Sequence, residues 1–330
     1  MRKRICKILV TGGAGFIGSE FVRQAVMKGY RVIVLDKLSY AGDLKRLADI
    51  RGRYVFYKID ICNEAKIQRV FNKEKPEIIV NFAAETHVDR SIRQCSSFIE
   101  ANVRGTQVLL EASRKHKVKK FLQISTDEVY GEITRGSFRE DSPLKPNSPY
   151  AATKASADLL IGSYVRTYGF PALIARPCNN YGPWQYPEKL IPLSILKILR
   201  NEKIPVYGRG KNSREWIFVA DAAEGLLKIM EKGRPGEIYN LGSRQELRNK
   251  DVVRKILKTL KKEEGLISFV KDRPGHDLRY CLNSQKVIRG FNWRPKMNFE
   301  EGLRITVSWY LKHKKWLLSK WQSISPLYTN

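Results

Sequence analysis

The chain has 330 residues, with 61 Lys and Arg against 33 Asp and Glu, a net charge of +28 and an apolar content of 42%. This length supports one large or two modest domains with a sizeable core, and no apolar run approaches the roughly 18 residues that a membrane span needs. The five cysteines are odd in number and scattered, without a C-x-x-C pair or a Cys/His cluster, which argues against a disulfide framework or a metal site and for reduced thiols in the cytoplasm.

The basic residues are spread along the chain rather than gathered in one arm. They read as a solvated surface, not a dedicated nucleic-acid site, and their field attracts an anionic substrate. The opening Met1-Arg2-Lys3-Arg4 resembles a secretory n-region, but the apolar run after it is short and breaks at Gly12-Gly13, so it reads as a first strand. Short β-rich runs at 8–10, 31–35, 55–57, 78–82, 121–124 and 173–176 alternate with helical patterns at 16–28, 64–73, 98–117 and 150–167. That alternation predicts an α/β fold, a Rossmann-like doubly wound parallel sheet.

After about Asn180 the texture changes, with Pro183, Pro187, Pro192 and Pro205 punctuating short segments. Strand-like pieces at 215–219 and 237–241 flank a helix at 221–232. A basic helix at 250–261, a loop at 272–277 and a final helix at 299–314 follow. The basic, aromatic tail from Trp309 to Trp321 reads as a docked C-terminal helix rather than a membrane-surface helix. The expected division is a first domain over 1–180, with returning elements near 215–245, and a smaller, irregular lobe over 181–330 packed against it around a cleft.

Gly12, Gly15 and Gly18 follow the first strand and open a helix. Glycines so placed allow the tight turn and the close approach of a pyrophosphate to the helix N-terminus. Asp36 ends the second strand, 18 residues after Gly18. A carboxylate there takes the adenine ribose hydroxyls and repels a 2′-phosphate, favouring NAD over NADP. Neighbouring Lys37 works slightly against that preference. Asp60, ending the third strand, has two readings, contact with the adenine or a cap for the next helix.

Ser125-Thr126-Asp127-Glu128-Val129-Tyr130-Gly131 ends the strand at 121–124, and Tyr150 and Lys154 are spaced i, i+4 on one helix face. A tyrosine titrating near 10 is a poor base at about pH 7, but a lysine one turn away and a positive nicotinamide stabilise its phenolate. Tyr150 then removes a hydroxyl proton while hydride leaves the same carbon, and Thr126 hydrogen-bonds the same substrate oxygen. The adjacent carboxylates Asp127 and Glu128 supply an acid and a base. At an irregular strand end both can aim into one cleft, whereas within a regular strand they would face opposite sides. Thr86 follows the fourth strand at its carboxyl edge and faces substrate or cofactor. His87 has an equal reading as a structural histidine. Asn102 orders water or backbone near Lys154. Lys189, Arg214 and Arg273 are cationic candidates for a diphosphate.

With these motifs the chain resembles the extended short-chain dehydrogenase/reductases, and closely the dTDP-glucose 4,6-dehydratases. The resemblance runs from Ile8 to about Tyr310. It is carried by TGGAGFIGS (11–19), VLDKLSYAGDL (34–44), FAAETHVDRSI (82–92), STDEVYG (125–131), SPYAATKA (148–155), RPCNNYGPWQYPEKLIPL (176–193) and DRPGHDLRY (272–280). Cys178, where the family has a small hydroxyl residue, and Glu215, in a usual Arg-Asp-Trp, depart from the pattern. The resemblance implies Asp127 as general acid and Glu128 as general base of a C5/C6 elimination, between oxidation at C4 and reduction at C6. It implies NAD contacts from Phe16, Ile17, Ser39, Ile61, Ala83, Ala84 and Asn180, beside Gly12, Gly15, Gly18, Asp36, Lys37, Asp60, Tyr150 and Lys154. It assigns Asn179, Lys189, Leu190, Tyr207, Arg214, Asn249, Arg273 and His276 to a nucleoside-diphosphate sugar, and it implies a homodimer.

The expected activity is therefore a lyase converting a nucleoside-diphosphate glucose, dTDP-glucose first, to its 4-keto-6-deoxy form with tightly bound NAD, as in deoxysugar biosynthesis. The alternatives are a UDP-glucose 4,6-dehydratase, or an epimerase or decarboxylase of the same fold. An epimerase has no use for the Asp127–Glu128 pair. From another class, a catalytically idle module binding dinucleotide or RNA is opposed by the intact Thr126, Tyr150 and Lys154.

Overall fold

A sheet of seven parallel strands, six from residues 7–177 and one from the second half, organises the computed structural model, which describes residues 6–325. The basic opening at residues 1–4 lies outside them. In chain order the elements are β1 (Lys7–Thr11), α1 (Phe16–Met27), β2 (Arg31–Asp36), β3 (Tyr54–Lys58), α2 (Glu64–Glu74), β4 (Ile78–Asn81), α3 (Val88–Arg93), α4 (Ser96–Phe98), α5 (Gly105–Lys115), β5 (Lys120–Ile124), α6 (Pro149–Tyr168) and β6 (Ala172–Pro177). The second half adds β7 (Asn179–Tyr181), α7 (Leu190–Leu199), β8 (Ile204–Tyr207), β9 (Ser213–Phe218), α8 (Val219–Lys232), β10 (Ile238–Leu241), β11 (Glu246–Arg248), α9 (Asn249–Thr259), β12 (Ile267–Val270), α10 (Gln285–Phe291), α11 (Phe299–Lys312), α12 (Lys314–Ser319) and α13 (Trp321–Ile324).

The main sheet has the order β3-β2-β1-β4-β5-β6-β10. Helices cover both faces, so β2 is a buried apolar run from Val32 to Leu35 rather than an alternating one. Strand order reverses between β1 and β4, and ligands of such sheets bind at the carboxyl ends beside that reversal. A buried polar ladder fixes the register just below this edge. Thr11 Oγ1 donates to Asn81 Oδ1 at 2.5 Å, and Asn81 Nδ2 donates to Gln123 Oε1 at 2.8 Å. It crosses β1, β4 and β5, and each polar group finds a partner where an orphaned one would be costly.

Of the two strand candidates flanking 221–232, only β10 enters the main sheet. β9 pairs with β7 and β11 in a separate three-stranded sheet, and β8 with β12 in a two-stranded one. These small sheets, with α7, α9 and α11, enclose a second apolar core that includes Ile195, Trp216, Val253, Phe299 and Tyr310. The expected single helix at 98–117 is instead α4, a π-helical turn over Ile99–Arg104, and α5. The wider turn aims Asn102 at the neighbouring loop. Gly105 follows it because a Cβ there would strike Ile61.

Local signals place α6, the helix of Tyr150 and Lys154. Ser148 caps it by accepting from Ala151 N at 3.2 Å, Pro149 opens it, and Gly169 ends it in the left-handed conformation. A buried ion pair then fastens it to the sheet. Arg176 Nε on β6 donates to Asp158 Oδ2 at 2.9 Å, and Ser125 Oγ donates to the same oxygen at 3.0 Å. Removing one partner strands a buried charge. Arg176→Met should therefore lower the unfolding free energy by about 3–5 kcal/mol, and Arg176→Met with Asp158→Leu should cost clearly less. Urea unfolding of the three proteins checks this; equal losses in the single and double variants would contradict it.

Candidate active site

A single cleft runs along the carboxyl edge of the main sheet, from the glycine loop past Asp36 to the segment that opens the second lobe. Every predicted cofactor residue lines it: Gly12, Gly15, Phe16, Ile17 and Gly18 at one end, Asp36, Lys37, Ser39, Asp60 and Ile61 on the flank, and Ala83, Ala84, Tyr150, Lys154 and Asn180 beyond. Thr86, Thr126, Asp127, Glu128, Asn179 and Lys189 line it as well. Gly12 has φ +65°, and a Cβ there would come within 2.7 Å of Ala83 N, so the loop needs glycine to close onto β4. Asp36 uses both carboxylate oxygens on the protein, accepting from Ala14 N at 3.0 Å and Leu38 N at 2.8 Å. Lys37 Nζ is held by Glu85 at 3.3 Å and Asp60 at 3.8 Å. Asp60 does not cap α2; it accepts from Cys62 N, and Asn63 caps the helix instead.

Four buried side-chain oxygens or carboxylate atoms lining this cleft have no protein partner: Asp127 Oδ2, Asn179 Oδ1, Asn180 Oδ1 and Gln185 Oε1. Buried polar atoms are satisfied almost everywhere else in folded proteins, so this concentration fits a polar ligand. With the glycine cradle at one end and Asp36 beside it, the residues suit a dinucleotide.

The reactive groups converge at the end of β5. Residues Asp127–Tyr130 form a 3-10 turn whose first N–H groups are capped by Thr126, with Glu128 N donating to Thr126 Oγ1 at 3.3 Å. Gly131 ends the turn at φ +78°, where a Cβ would collide with Lys145 O. The turn lets consecutive carboxylates share one cleft. Burial pushes the Asp127 carboxyl up from 3.8 to about 8, with the Glu128 charge adding to it. Burial thus favours the neutral acid form of Asp127. Burial also raises Glu128, but Arg273, Arg214 and Lys189 pull against it in that order. The two environments differ in the direction that separates an acid from a base.

Burial, and then the Glu128 charge, raise the Tyr150 phenol, while the Thr126 hydroxyl works in the opposite direction. Burial lowers the Lys154 ammonium to about 8 and Asp158 opposes that fall. Lys154 Nζ donates to Ile124 O at 2.6 Å, which fixes it over the strand that carries Thr126. Asn102 orders backbone, as one of its predicted roles required. Its Oδ1 accepts from Glu85 N at 2.9 Å, and its Nδ2 donates to Glu85 O at 3.1 Å and Thr153 Oγ1 at 2.9 Å. His87 is structural, since its Nδ1 caps α3 by accepting from Arg90 N at 3.3 Å. Burial, with the Lys189 charge next, pushes it down to about 3, so it stays neutral.

Leu190, Tyr207, Arg214, Asn249, Arg273 and His276 do not line this cleft. They belong to the second lobe. Asp89 of α3, which sequence reasoning passed over, gathers part of this set by accepting from Tyr207 at 2.8 Å and pairing with Arg273 at 3.4 Å. His276 sits beside Tyr207, its ring 6.0 Å away, and its Nδ1 donates to Asp272 Oδ1 at 2.6 Å. Burial and the Arg273 charge lower it to about 4. Arg214 is buried over the Tyr280 ring at 4.2 Å and donates to Asp277 O at 2.8 Å. Asn249 opens α9, and Leu190 opens α7 next to Lys189, whose Nζ donates to Thr86 O at 2.8 Å. Asp158, four residues past Lys154 on the same face, was also missed, although its spacing was visible.

A family model described as GDP-mannose 4,6 dehydratase matches residues 9–306. The chain belongs to that family. It is 45% identical to the dTDP-glucose 4,6-dehydratase of Neisseria meningitidis serogroup B, over 96% of both chains. It is 43% identical to dTDP-glucose 4,6-dehydratase 1 of Escherichia coli K12, over 94% of both. Among solved structures it resembles DesIV, the dTDP-glucose 4,6-dehydratase of Streptomyces venezuelae with NAD and TYD bound. There the TM-score is 0.91 and the identity 46%, with 94% of this chain and 98% of that one covered. The UDP-glucose 4-epimerase of Thermus thermophilus, in complex with NAD, shares the fold at a TM-score of 0.87 and 30% identity, over 92% and 99% of the two chains.

The Asp127 carboxyl predicts a pH signature. Its folded-state value is raised, so its contribution to stability is complete below 3.8, declines as pH rises towards 8, and is gone above that. Asp127→Asn carries no such charge. The wild-type protein should lose stability relative to this variant between about pH 4 and pH 8, read from urea midpoints. Its kcat/KM should fall on a basic limb near about pH 8, as the acid form is lost. A stability difference that is flat with pH would show that Asp127 is ionised in the fold.

Proposed function

We propose that this protein dehydrates a nucleoside-diphosphate glucose, dTDP-glucose, to the 4-keto-6-deoxy sugar nucleotide and water, using NAD. The carrying observation is the convergence of two adjacent carboxyls, Asp127 and Glu128, with Thr126, Tyr150 and Lys154 in one cleft, where burial favours the neutral form of Asp127 and Arg273, Arg214 and Lys189 favour the charged form of Glu128. Relatives at 43–46% identity over nearly the whole chain bear the same activity in their names, which favours dTDP over UDP as the nucleotide. An epimerase on this fold would have no task for two buried carboxyls.

Tyr150 takes the proton of the C4 hydroxyl, with Thr126 hydrogen-bonded to the same oxygen and Lys154 stabilising the phenolate. Bound NAD would supply a hydride acceptor at C4 and the same hydride for C6, with no net change of the cofactor. The C4 ketone acidifies C5–H. Glu128 removes that proton while Asp127 gives its own to the C6 hydroxyl, which leaves as water as the C5–C6 double bond forms. A proton returned to C5 completes the product and the atom balance. The glycine loop, Asp36 and the Asn180 amide would hold the cofactor. Lys189, Arg214 and Arg273 would face the diphosphate, with Thr86, Asn179, Leu190, Tyr207, Asn249 and His276 around the sugar nucleotide. In this division residues 1–180, with β10, serve the cofactor and 181–330 mainly the substrate.

The test is product mass and cofactor state. With dTDP-glucose the product should be lighter by one water, without free NADH, and UDP-glucose should react more slowly. Asp127→Asn and Glu128→Gln should each lose about 10²–10⁴-fold in turnover while enzyme-bound NADH builds up. Tyr150→Phe should form almost none. Glu128→Gln should also slow exchange of C5 hydrogen with deuterated solvent. Near-normal dehydration by both carboxyl variants would refute the mechanism.

We also propose a cytoplasmic homodimer. The cytoplasmic placement is supported by five cysteines that all remain free thiols. The dimer is supported by α6, which turns Ala152, Ser156, Leu159 and Ser163 outward at i, i+4, i+7 and i+11, with Leu159 66% exposed. A second copy packing on that face would cover it. Leu159→Arg should shift the protein to monomer in sedimentation velocity; an unchanged mass would place the interface elsewhere.

A further inference from the structure

Arg46 is among the largest fully buried side chains of the protein, 1% exposed, and it lines the cleft beside the glycine loop. Its guanidinium donates to backbone carbonyls of three separate segments. Nη1 reaches Ala14 O at 2.8 Å and Ala41 O at 2.6 Å, while Nε and Nη2 reach Trp184 O at 3.1 and 3.0 Å. Ala14 lies within the glycine loop. Its N–H is held by Asp36 Oδ2 at 3.0 Å, and its carbonyl also accepts from Asp43 N at 3.0 Å. One residue of the phosphate-facing loop is thus clamped from both sides.

The clamp continues into the C-terminal segment. Trp184 holds φ +69°, in the left-handed region that a bulky side chain seldom adopts. That conformation persists only where surrounding bonds impose it, and two of those bonds come from Arg46. The Trp184 ring packs on Trp309 and Trp316, with centroids 4.6 and 5.2 Å apart. Trp316 of α12 donates its indole N–H to Asp43 Oδ2 at 3.0 Å and lies 6.0 Å from the Arg46 guanidinium. Lys320 sits 3.7 Å from the same Asp43 oxygen. The chain of contacts therefore closes on itself, from Ala14 through Arg46, Trp184, Trp316 and Asp43 back to Ala14. A buried guanidinium is tolerable only while its donors are satisfied, and here that requires the glycine loop and the start of the second lobe to converge together.

We propose that Arg46 is a positioning residue for the dinucleotide, and that through Trp184 and Trp316 it makes docking of the C-terminal helices and retention of the cofactor one linked equilibrium. The inference rests on the dinucleotide reading of the cleft. It gives the basic, aromatic tail a task, as the outer wall that keeps the glycine loop in its binding shape. Linkage is reciprocal. What loosens the tail weakens NAD, and NAD tightens the tail.

NAD binding measured by calorimetry on the full-length protein, stripped of dinucleotide, tests this. Arg46→Met should bind NAD at least about tenfold more weakly, a change of about 1.4 kcal/mol. Its loss should fall on the KM for NAD far more than on kcat at saturating NAD, and Arg46→Lys should recover part of the affinity. Trp316→Phe, which keeps an aromatic ring and removes the indole donor to Asp43, should weaken NAD in the same direction by a smaller factor. In the wild-type protein, NAD should slow tryptic cleavage at Lys312–Lys320. A wild-type chain that binds no NAD would refute the dinucleotide reading itself. Wild-type binding with unchanged affinity in Arg46→Met, or a tryptic rate indifferent to NAD, would overturn the present inference alone. Should Arg46→Met not fold, Trp316→Phe and the wild-type tryptic rates decide in the same way.

Discussion

The structure depends on one electrostatic constraint, two adjacent carboxyls at the end of β5 that share one cleft in different charge environments. Like charges that close cannot both ionise in low dielectric. The 3-10 turn after Thr126 settles which one yields. It buries Asp127 and leaves one of its oxygens without a partner. It turns Glu128 towards cations carried by the other lobe, Arg273, Arg214 and Lys189. The first domain therefore supplies the carboxyls and the second sets the charge of one of them. The irregular half of the chain thereby acts on the electrostatics of the carboxyl pair, and Asp89 of α3 ties Arg273 and Tyr207 of that half to the first domain.

Much of the fold is legible in the sequence, because it is written in local patterns. The six early strands and their helices follow from apolar runs separated by turn residues. The glycine loop and the Tyr150–Lys154 spacing carry their own geometry. Three features were not legible, each for a physical reason. The π-helical turn at Ile99–Arg104 depends on Asn102 finding Glu85, a tertiary contact that helical periodicity cannot register. The fate of β9 was set by competition between sheets, since its apolar pattern serves a small sheet as well as the main one. Arg46 was one of 61 basic residues, and nothing local marks it as buried. The expected roles of Leu190, Asn249 and His276 rest on the motif resemblance, because no local spacing marks these residues.

Asp158 shows how the catalytic helix and the sheet share one support. It stands one turn beyond Lys154 on α6, accepts from Ser125 and pairs with Arg176. Ser125 lies between Ile124, whose carbonyl holds Lys154, and Thr126, which begins the reactive turn. The Tyr150–Lys154 face and the Asp127–Glu128 turn are therefore registered to each other through a single buried carboxylate. A reaction in which proton removal at C4 and elimination at C5 and C6 occur on one sugar needs that registration, because errors well below an ångström or two degrade proton transfer and positioning.

The cations of this protein divide by what they bond. On the surface they pair with acids, as in Arg23–Asp49, Lys119–Glu77 and Lys255–Glu300. Pairs of that kind cancel charge and contribute little to stability. Lining the cleft, Lys154, Lys189 and Arg46 donate instead to backbone carbonyls, of Ile124, of Thr86, and of Ala14, Ala41 and Trp184, and Arg214 of the second lobe does the same at Ser213 and Asp277. A carbonyl satisfies the donors but brings no full negative charge, so the positive potential of these groups stays largely uncancelled. Surface fields are screened over about 8–10 Å, whereas a potential focused in a low-dielectric cleft is not. The net charge of +28 is therefore a poor guide to what the protein attracts. Of the cations lining the cleft, Lys37 is paired with Glu85 and Asp60, whereas Arg46, Lys154 and Lys189 are fastened to carbonyls and keep their charge available to an anionic ligand.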